Sequence, residues 1–335
     1  MDDDAVLDIA QAWLEEGRSV ALATVIETWG SAPRPVGSHL IVADGGSFEG
    51  SVSGGCVEGA VVAEALEILR KDKPARILEF SVSDSEAWET GLACGGTIRV
   101  HVEPLQRWLS EDLRAFRQKR QSVAVLSNPE GGPRILITAE DVSGDLSPSS
   151  AVLETARRML AEDRSGLANG LFVRSYGPPW TIYVIGAVHI AQTLVPMAKL
   201  AGFEVCVVDP RKAFATETRF PETRIVAEWP QEAFAELPLD AHAAVVVLTH
   251  DPKIDDPALA AALKSDAFYI GALGSRKTHE RRLGRLAEAG FPVDQLTRIA
   301  GPVGLDLGGR STGEIAVSIL AEIVGARYGR RRTDR

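Results

Sequence analysis

Two short segments of the sequence place a cysteine beside a pair of glycines: Gly54-Gly55-Cys56 and Cys94-Gly95-Gly96. Glycines permit positive φ angles and leave backbone amides open, as an anion-binding nest requires. Thiolates bind soft metals and can carry sulfur. Packing alone does not explain two such loops in one small region. We therefore expect both cysteines to face one bound metal centre, with Cys94 as the metal ligand and the glycines in contact with the ligand.

The residues alone leave a second interpretation of Cys56 open, because a tight turn around a small buried cysteine gives the same pattern. Cys206 differs, since it lies in the middle of an apolar strand and is expected to be a core residue. A short loop between Pro33 and Pro35 presents Arg34. Its guanidinium can bind an anion, or it can be an exposed charged group that is surrounded by water. Arg34 is therefore a candidate phosphate ligand, with both interpretations open.

A dinucleotide-type motif follows in the second half of the chain. Gly186 directly follows an apolar strand and opens a helix, and Asp209 ends the next strand 23 residues later. In dinucleotide-binding folds such a turn receives a pyrophosphate and the acidic residue accepts the ribose hydroxyls. Gly186 and Asp209 are therefore candidate cofactor-binding residues. Val188 stands at the second glycine position, where its branched side chain obstructs a pyrophosphate. The pattern favours a Rossmann-like fold and disfavours bound NAD(P).

The elements that must position these residues change in type along the chain. Helical spacing of apolar residues predicts helices over 4–16, 57–70, 105–117 and 151–160, with strands between them. In the second half the predicted helices cover 188–200, 256–264, 275–288 and 312–327. There, short apolar strands alternate with helices, which indicates a parallel, doubly wound sheet. We predict an α/β protein with an N-terminal α+β domain over 1–176 and a C-terminal Rossmann-like domain over 180–330. Gly177-Pro178-Pro179 forms a stiff linker between them.

Composition disfavours several classes of function. The chain carries 36 basic and 46 acidic side chains, a net charge of −10, which opposes binding to nucleic acid. The N-terminal MDDDAV lacks the pattern of a secretory signal, and no apolar run approaches the roughly 18 residues that span a bilayer. Three cysteines do not make a disulfide framework. We expect a cytoplasmic protein with neither a nucleic-acid nor a membrane partner.

Several longer blocks then occur in order along the chain. They are GSAPRPVGSHLIV, GSVSGGCVEGAV, CGGTIRVHVEP, YVIGAVHIA, VVLTHD, YIGALGSRKTHERR and GPVGLDLGGRSTGEIAVSILAEI. The first three resemble the N-terminal domain of the xanthine dehydrogenase accessory protein family (XdhC/CoxI), and the others resemble that family's Rossmann domain. The blocks lie between Gly30 and Ile323, and the resemblance covers most of the chain, from about Val20 to Arg327.

The resemblance implies an accessory factor that is not itself an enzyme. Such a factor binds molybdenum cofactor, assists its sulfuration and delivers it to the apo-form of a molybdenum hydroxylase such as xanthine dehydrogenase. A cysteine desulfurase would be a second partner, and a homodimer is expected. Because the cofactor is a pterin with a phosphate and a dithiolene-bound metal, Arg34 and the glycine loops would take the phosphate. A thiolate would approach the metal or hand over sulfur.

Two other functions compete with this one. The first is an NAD(P)-dependent oxidoreductase that uses the Rossmann domain, against which Val188 counts. The second is a thiol-dependent sulfur transferase, which needs a persulfide on Cys56 or Cys94.

Overall fold

The structure is a computed structural model that describes residues 3–30, 34–82 and 96–330. The chain divides into two compact units, Met1–Pro178 and Pro179–Arg335. The first contains antiparallel sheets and the second a parallel sheet. This arrangement confirms the predicted fold class.

Two five-stranded antiparallel sheets with four helices make up the described part of the N-terminal unit. The helices are α1 (Asp3–Glu15), α2 (Glu58–Lys71), α3 (Arg107–Gln118) and α4 (Ser150–Ala161). The strands are β1 (Val20–Gly30), β2 (His39–Ala43), β3 (Phe48–Gly50), β4 (Arg76–Val82), β5 (Gly96–Pro104), β6 (Val123–Ser127), β7 (Arg134–Ile137), β8 (Val142–Gly144), β9 (Gly166–Ala168) and β10 (Leu171–Tyr176). The strand orders are β3-β2-β1-β5-β4 and β8-β7-β6-β10-β9.

Helix α2 covers one face of the first sheet. Its buried residues Val61, Ala65 and Ile68 recur at intervals of four and three, so they form one apolar stripe. The stripe packs against side chains from one face of the sheet, among them Ala23 and Val100. Because neighbouring residues in a strand point to opposite faces, the residues between them point away from α2.

That second face carries a row of buried polar side chains. Thr24 of β1 is paired in register with His39 of β2 and with His101 of β5. Farther along β5, Glu103 binds Arg134 of β7 in the second sheet through two hydrogen bonds of 2.5 and 3.2 Å. Burial lowers the pKa of His101 below its usual value. The two sheets are therefore joined across a polar layer that adjoins an apolar cluster with members from both sheets. Buried polar groups such as Glu103 and Arg134 are stable when they are paired.

We expect Arg134→Ala to lower the free energy of unfolding by roughly 3–5 kcal/mol, because it leaves the Glu103 carboxylate buried without its guanidinium. Chemical denaturation followed by tryptophan fluorescence measures the loss. The control is Arg164→Ala, whose ion pair with Glu162 is exposed and whose removal should change stability by less than about 0.5 kcal/mol. Equal losses in the two variants would show that the buried pair does not stabilise the unit.

A six-stranded parallel sheet forms the C-terminal unit. The strands are β11 (Thr181–Ile185), β12 (Glu204–Val208), β13 (Arg224–Val226), β14 (Ala243–Val247), β15 (Tyr269–Ala272) and β16 (Ile299–Ala300). The helices are α5 (His189–Leu200), α6 (Pro230–Glu236), α7 (Pro252–Leu263), α8 (Arg276–Glu288), α9 (Val293–Leu296) and α10 (Thr312–Arg327). The strand order is β13-β12-β11-β14-β15-β16, so the strands after β11 are first added on one side of it and, from β14 onwards, on the other side. This is the doubly wound order, with the switch point where such folds bind ligands.

Helix α7 begins four residues before the predicted start at 256. Pro252 lies in its first turn, where a backbone N–H would have no acceptor within the helix, so the missing N–H of proline costs nothing. The side chain of Asp251 caps the helix by accepting the Lys253 N–H at 3.0 Å. Periodicity did not reveal the short elements β8, β9, α6, α9 and β16, because they contain too few residues to establish a period. Among the described residues, no helix is both long and apolar enough to cross a bilayer.

Candidate functional site

One end of the first sheet collects the loops that carry the predicted site residues. Gly96, the first residue of β5, pairs with Gly30 at the end of β1 and with Val82 at the end of β4. Strand β2 begins at this end and β3 finishes there, because both follow the antiparallel order of the sheet. The chain on either side of the 83–95 segment therefore lies towards the same end of the sheet as the loops after β1 and β3. Cys94 and Gly95 lie outside the described residues, so their approach to Cys56 stays a prediction.

The loop after β3 folds into a compact turn, Ser51–Glu58, which we name the Cys56 turn. It is built around the buried carboxylate of Glu58. Oε1 accepts hydrogen bonds from the Ser51 hydroxyl (2.7 Å), the Val52 N–H (3.2 Å) and the Ser53 N–H (2.9 Å). Oε2 accepts from the Ser53 hydroxyl (2.5 Å), the Gly55 N–H (2.9 Å) and the Val57 N–H (3.2 Å).

The glycines allow this turn to close. Gly54 and Gly55 have φ angles of 79° and 121°, which side-chain-bearing residues rarely adopt. The turn has the backbone form that we expected of an anion nest, but its anion is Glu58 of the same chain. Burial by itself would raise the pKa of Glu58, yet the hydrogen bonds from Ser53, Ser51 and the backbone lower it to about 2. Glu58 is thus ionised at neutral pH. The ligand-binding role of Gly54 and Gly55 stays a prediction.

The two described cysteines have opposite environments. Cys56 is exposed on the outer side of its turn, which excludes the interpretation as a small buried residue. Cys206 is buried within β12, and burial raises the pKa of its thiol to about 11. No group of three or more metal-ligating side chains occurs within the described ranges.

Arg34 lies beside the Cys56 turn. Its Nε donates to the carbonyl oxygen of Ser51 at 3.2 Å, across 17 residues of sequence. The N–H of Ser51 in turn donates to the carbonyl of His39 at 3.0 Å. The structure therefore brings together Arg34, Gly54, Gly55 and Cys56 from the predicted set.

A polar cluster that the sequence did not reveal adjoins this site. Nδ1 of His39 lies 3.0 Å from the Thr24 hydroxyl, and Nε2 lies 3.0 Å from the Tyr176 hydroxyl and 3.3 Å from Nε of Arg174. Because the Arg174 N–H can only donate, Nε2 must accept, so the ring is neutral with its proton on Nδ1. Burial, reinforced by Arg174 and Arg34, holds the pKa of His39 well below its usual value. His39 reads as a strand residue in the sequence, and its partners Arg174 and Tyr176 lie more than a hundred residues away.

In the C-terminal unit, the predicted nucleotide-binding residues make contacts with other residues of the chain. Asp209 is fully buried, and its Oδ2 accepts the Ala187 N–H at 2.7 Å. Both carboxylate oxygens also bind the guanidinium of Arg211, at 2.7 and 2.9 Å. Burial favours a higher pKa for Asp209, but the bonds from Arg211 and Ala187 hold the pKa below its usual value. Ribose hydroxyls would therefore have to displace Arg211.

Gly186 has a packing role. Its φ is +106°, and a Cβ atom added there would lie 2.4 Å from Cγ2 of Thr249. The turn after β11 therefore approaches the loop after β14 too closely for any side chain. This contact requires a glycine whether or not a ligand binds, so the binding role of Gly186 stays a prediction.

A cleft of about 620 Å³ opens at the carboxyl ends of the parallel strands. It is lined by Val188, His189, Ile190, Arg211, Leu248, Thr249, His250, Asp251, Leu273 and Thr312. Behind it, the Thr249 hydroxyl donates to the buried Asp255, which also binds the buried Arg282 at 3.3 Å. Burial raises the pKa of Asp255 despite these partners. The cleft sits at the switch point, the usual ligand position of this fold class.

We expect iodoacetamide at pH 8 to modify Cys56 in the folded protein and to modify Cys206 only after unfolding. The thiolate is the reactive form, and Cys206 is both shielded and almost fully protonated at that pH. Peptide mapping by mass spectrometry over time measures the two rates. The Cys56→Ser variant assigns the fast signal, and modification of Cys206 at the rate of Cys56 would refute the expectation.

Comparison with known proteins places this fold in a class. A family model described as "XdhC and CoxI family" matches residues 13–81, and one described as "XdhC Rossmann domain" matches residues 182–323. A crystal structure described as a xanthine dehydrogenase from Bacillus halodurans has the same fold, with a TM-score of 0.81 over 100% of this chain and 98% of that one, at 24% identity. The architecture is thus that of a two-part protein with an XdhC Rossmann domain.

Two curated relatives match over most of their length. The molybdenum cofactor insertion chaperone PaoD of Escherichia coli is 29% identical over 327 residues, which cover 97% of this chain and 89% of PaoD. A Bacillus subtilis protein, named as a probable xanthine dehydrogenase subunit, is 28% identical over 327 residues, with 94% of this chain and 96% of that protein covered. The chain thus carries a region that matches the XdhC and CoxI family over residues 13–81 and an XdhC Rossmann domain over residues 182–323.

Proposed function

We propose that this protein binds molybdenum cofactor as cargo and delivers it to the apo-form of a molybdenum hydroxylase such as xanthine dehydrogenase. The relationship to an insertion chaperone over nearly the whole chain supports this function. In the molecule itself, the observation that carries it is the exposed Cys56 thiol on a rigid turn, with the Arg34 guanidinium bound to the same turn. A soft ligand and a cation at one end of a sheet match the metal and the phosphate of a pterin cofactor.

The N-terminal domain, residues 1–176, is the cofactor-handling part in this proposal. The cargo brings its own dithiolene-bound molybdenum and a phosphate. Cys56 and Cys94 would approach the metal, with Cys94 as its ligand, and Gly95 and Gly96 would shape the loop beside it. Arg34 would hold the phosphate, because a guanidinium binds oxyanions with two parallel hydrogen bonds.

Assistance in sulfuration is the finer part of the proposal. A cysteine desulfurase would pass sulfane sulfur from its own persulfide to the thiolate of Cys56 or Cys94, which leaves the desulfurase with a free thiol. The sulfur would then be close to the bound cargo. Cys206 has no part in this step, because it is buried and its thiol pKa is about 11.

The C-terminal domain, residues 180–330, does not perform hydride transfer in this proposal. An NAD(P)-dependent oxidoreductase requires open acceptors for the ribose and an unobstructed pyrophosphate turn. Here Arg211 occupies the carboxylate of Asp209, and Val188 lies at the start of α5. The protein is accordingly an accessory factor without turnover, acting in the cytoplasm with the hydroxylase and the desulfurase as partners.

We expect Cys94→Ala and Cys56→Ala to lose most of the bound cofactor while the fold stays intact. Removing one sulfur atom from an exposed or loop position costs about 1 kcal/mol or less in stability, whereas loss of a thiolate contact should cost far more in binding. Molybdenum and pterin analysis of protein purified from a cofactor-producing host measures retention. Cys206→Ala is the control, since it should lower stability and leave retention unchanged. Full retention by both loop variants would disprove the site.

A homodimer is also part of the proposal, because closed two-fold dimers are the commonest assembly of such chains. Light scattering of the purified protein at micromolar concentration should give twice the mass of 35.9 kDa for one chain. A single-chain mass under those conditions would remove the dimer from the proposal.

A further inference from the structure

Every amide of residues 52–57 in the Cys56 turn points to an acceptor within the turn. The N–H groups of Val52, Ser53, Gly55 and Val57 donate to the Glu58 carboxylate. Gly54 donates to the Ser51 hydroxyl at 2.9 Å, and Cys56 donates to the Ser53 hydroxyl at 3.0 Å. Across these six residues, which the structure describes in full, no N–H remains for an outside anion.

The turn therefore has two different sides. Its inner side is the buried carboxylate of Glu58, surrounded by four N–H groups and two hydroxyls. Its outer side consists of Gly54, Gly55 and Cys56, which are exposed. Glu58 also stands in the first turn of α2, where the helix dipole stabilises a negative charge. The negative charge is thus fixed on the inside, and the thiol is presented on the outside.

We propose that Glu58 is a positioning residue that fills the nest of the Cys56 turn with a built-in anion. By doing so it closes the turn to phosphate and leaves the Cys56 thiol as its ligand-facing group. The statement about the cargo rests on the proposed function, whereas the statement about the nest does not. The alternative that Gly54 and Gly55 receive the cofactor phosphate requires the amides that Glu58 already occupies.

One consequence is a fixed orientation for the cargo. With its amides occupied and a carboxylate behind them, the Cys56 turn repels an oxyanion and can accept the metal-bearing part of the pterin through sulfur. The phosphate must then lie towards a cation, and Arg34 is the cation bonded to this turn through Ser51. Glu58 in this way selects which end of the cargo meets the thiol.

The test uses the full chain with Glu58→Ala, which empties the nest, and Glu58→Gln, which keeps its volume without the charge. The probes are sodium acetate and inorganic phosphate, compared with chloride at equal ionic strength, and the readouts are the thermal midpoint and the amide signal of Gly55 in ¹⁵N-glycine-labelled protein. We expect both probes to raise the midpoint of Glu58→Ala and to shift the Gly55 signal. The parent and Glu58→Gln should show neither effect, because a side chain fills the space.

Glu67→Ala is the matched control on the same helix. Glu67 is bonded to Lys71 and Lys73 at the surface, so its removal should create no anion site. A purely structural role for Glu58 would destabilise the variant without creating a phosphate site. If acetate and phosphate stabilise Glu58→Ala no more than Glu67→Ala, the proposal is overturned.

Cofactor retention provides the second arm. Glu58→Gln should fold and retain about tenfold less cofactor than the parent. This change corresponds to roughly 1.4 kcal/mol of binding free energy, lost because the turn is less well ordered. In Glu58→Ala, acetate should restore retention. Parent-like retention by Glu58→Gln would overturn the proposal, even if Glu58→Ala fails to fold. If the parent itself retains no cofactor, the proposed function fails, and the anion measurements on the empty protein still decide the role of Glu58.

Discussion

The antiparallel register of β1 is the constraint on which the candidate site depends. This strand pairs with β2 along its first half and with β5 along most of its length. Its pairing brings the start of β2 and the start of β5 to the same end of the sheet. Arg34 and the Cys56 turn are thereby placed beside each other, and the boundary residue Gly96 lies towards the same end of the sheet. A shift of β1 by one residue would also turn Thr24 towards α2, away from His39 and His101.

The polar layer between the two N-terminal sheets follows from the same register. A sheet face normally buries apolar side chains, and here an apolar cluster from both sheets is joined by buried histidine, threonine, glutamate and arginine side chains. Such groups are stable in a low-dielectric interior only when their hydrogen bonds are made. The neutral His39, bonded on both ring nitrogens, and the paired Glu103–Arg134 meet that requirement.

The same solution appears at two places in the chain. A buried carboxylate satisfies the backbone amides of a glycine-containing turn: Glu58 at the Cys56 turn, and Asp209 at the Ala187 amide beside Gly186. In each case the sequence has the features of an anion-binding turn, and in each case the anion belongs to the chain. A glycine motif at the start of a helix thus indicates where amides converge, but it does not say whether a ligand or a side chain receives them.

The fold class, the major helices and the parallel sheet could be predicted from the amino-acid sequence, because these depend on local periodicity and on strand composition. It also indicated that Cys206 lies in the core, since this residue is part of the apolar strand β12. It did not reveal the occupant of either nest, the exposure of Cys56 or the contacts of His39 with Arg174 and Tyr176. Those features depend on side-chain directions and on side-chain hydrogen bonds between residues up to 137 positions apart. They could not be predicted from the sequence, because they depend on which groups the folded chain brings within hydrogen-bond distance.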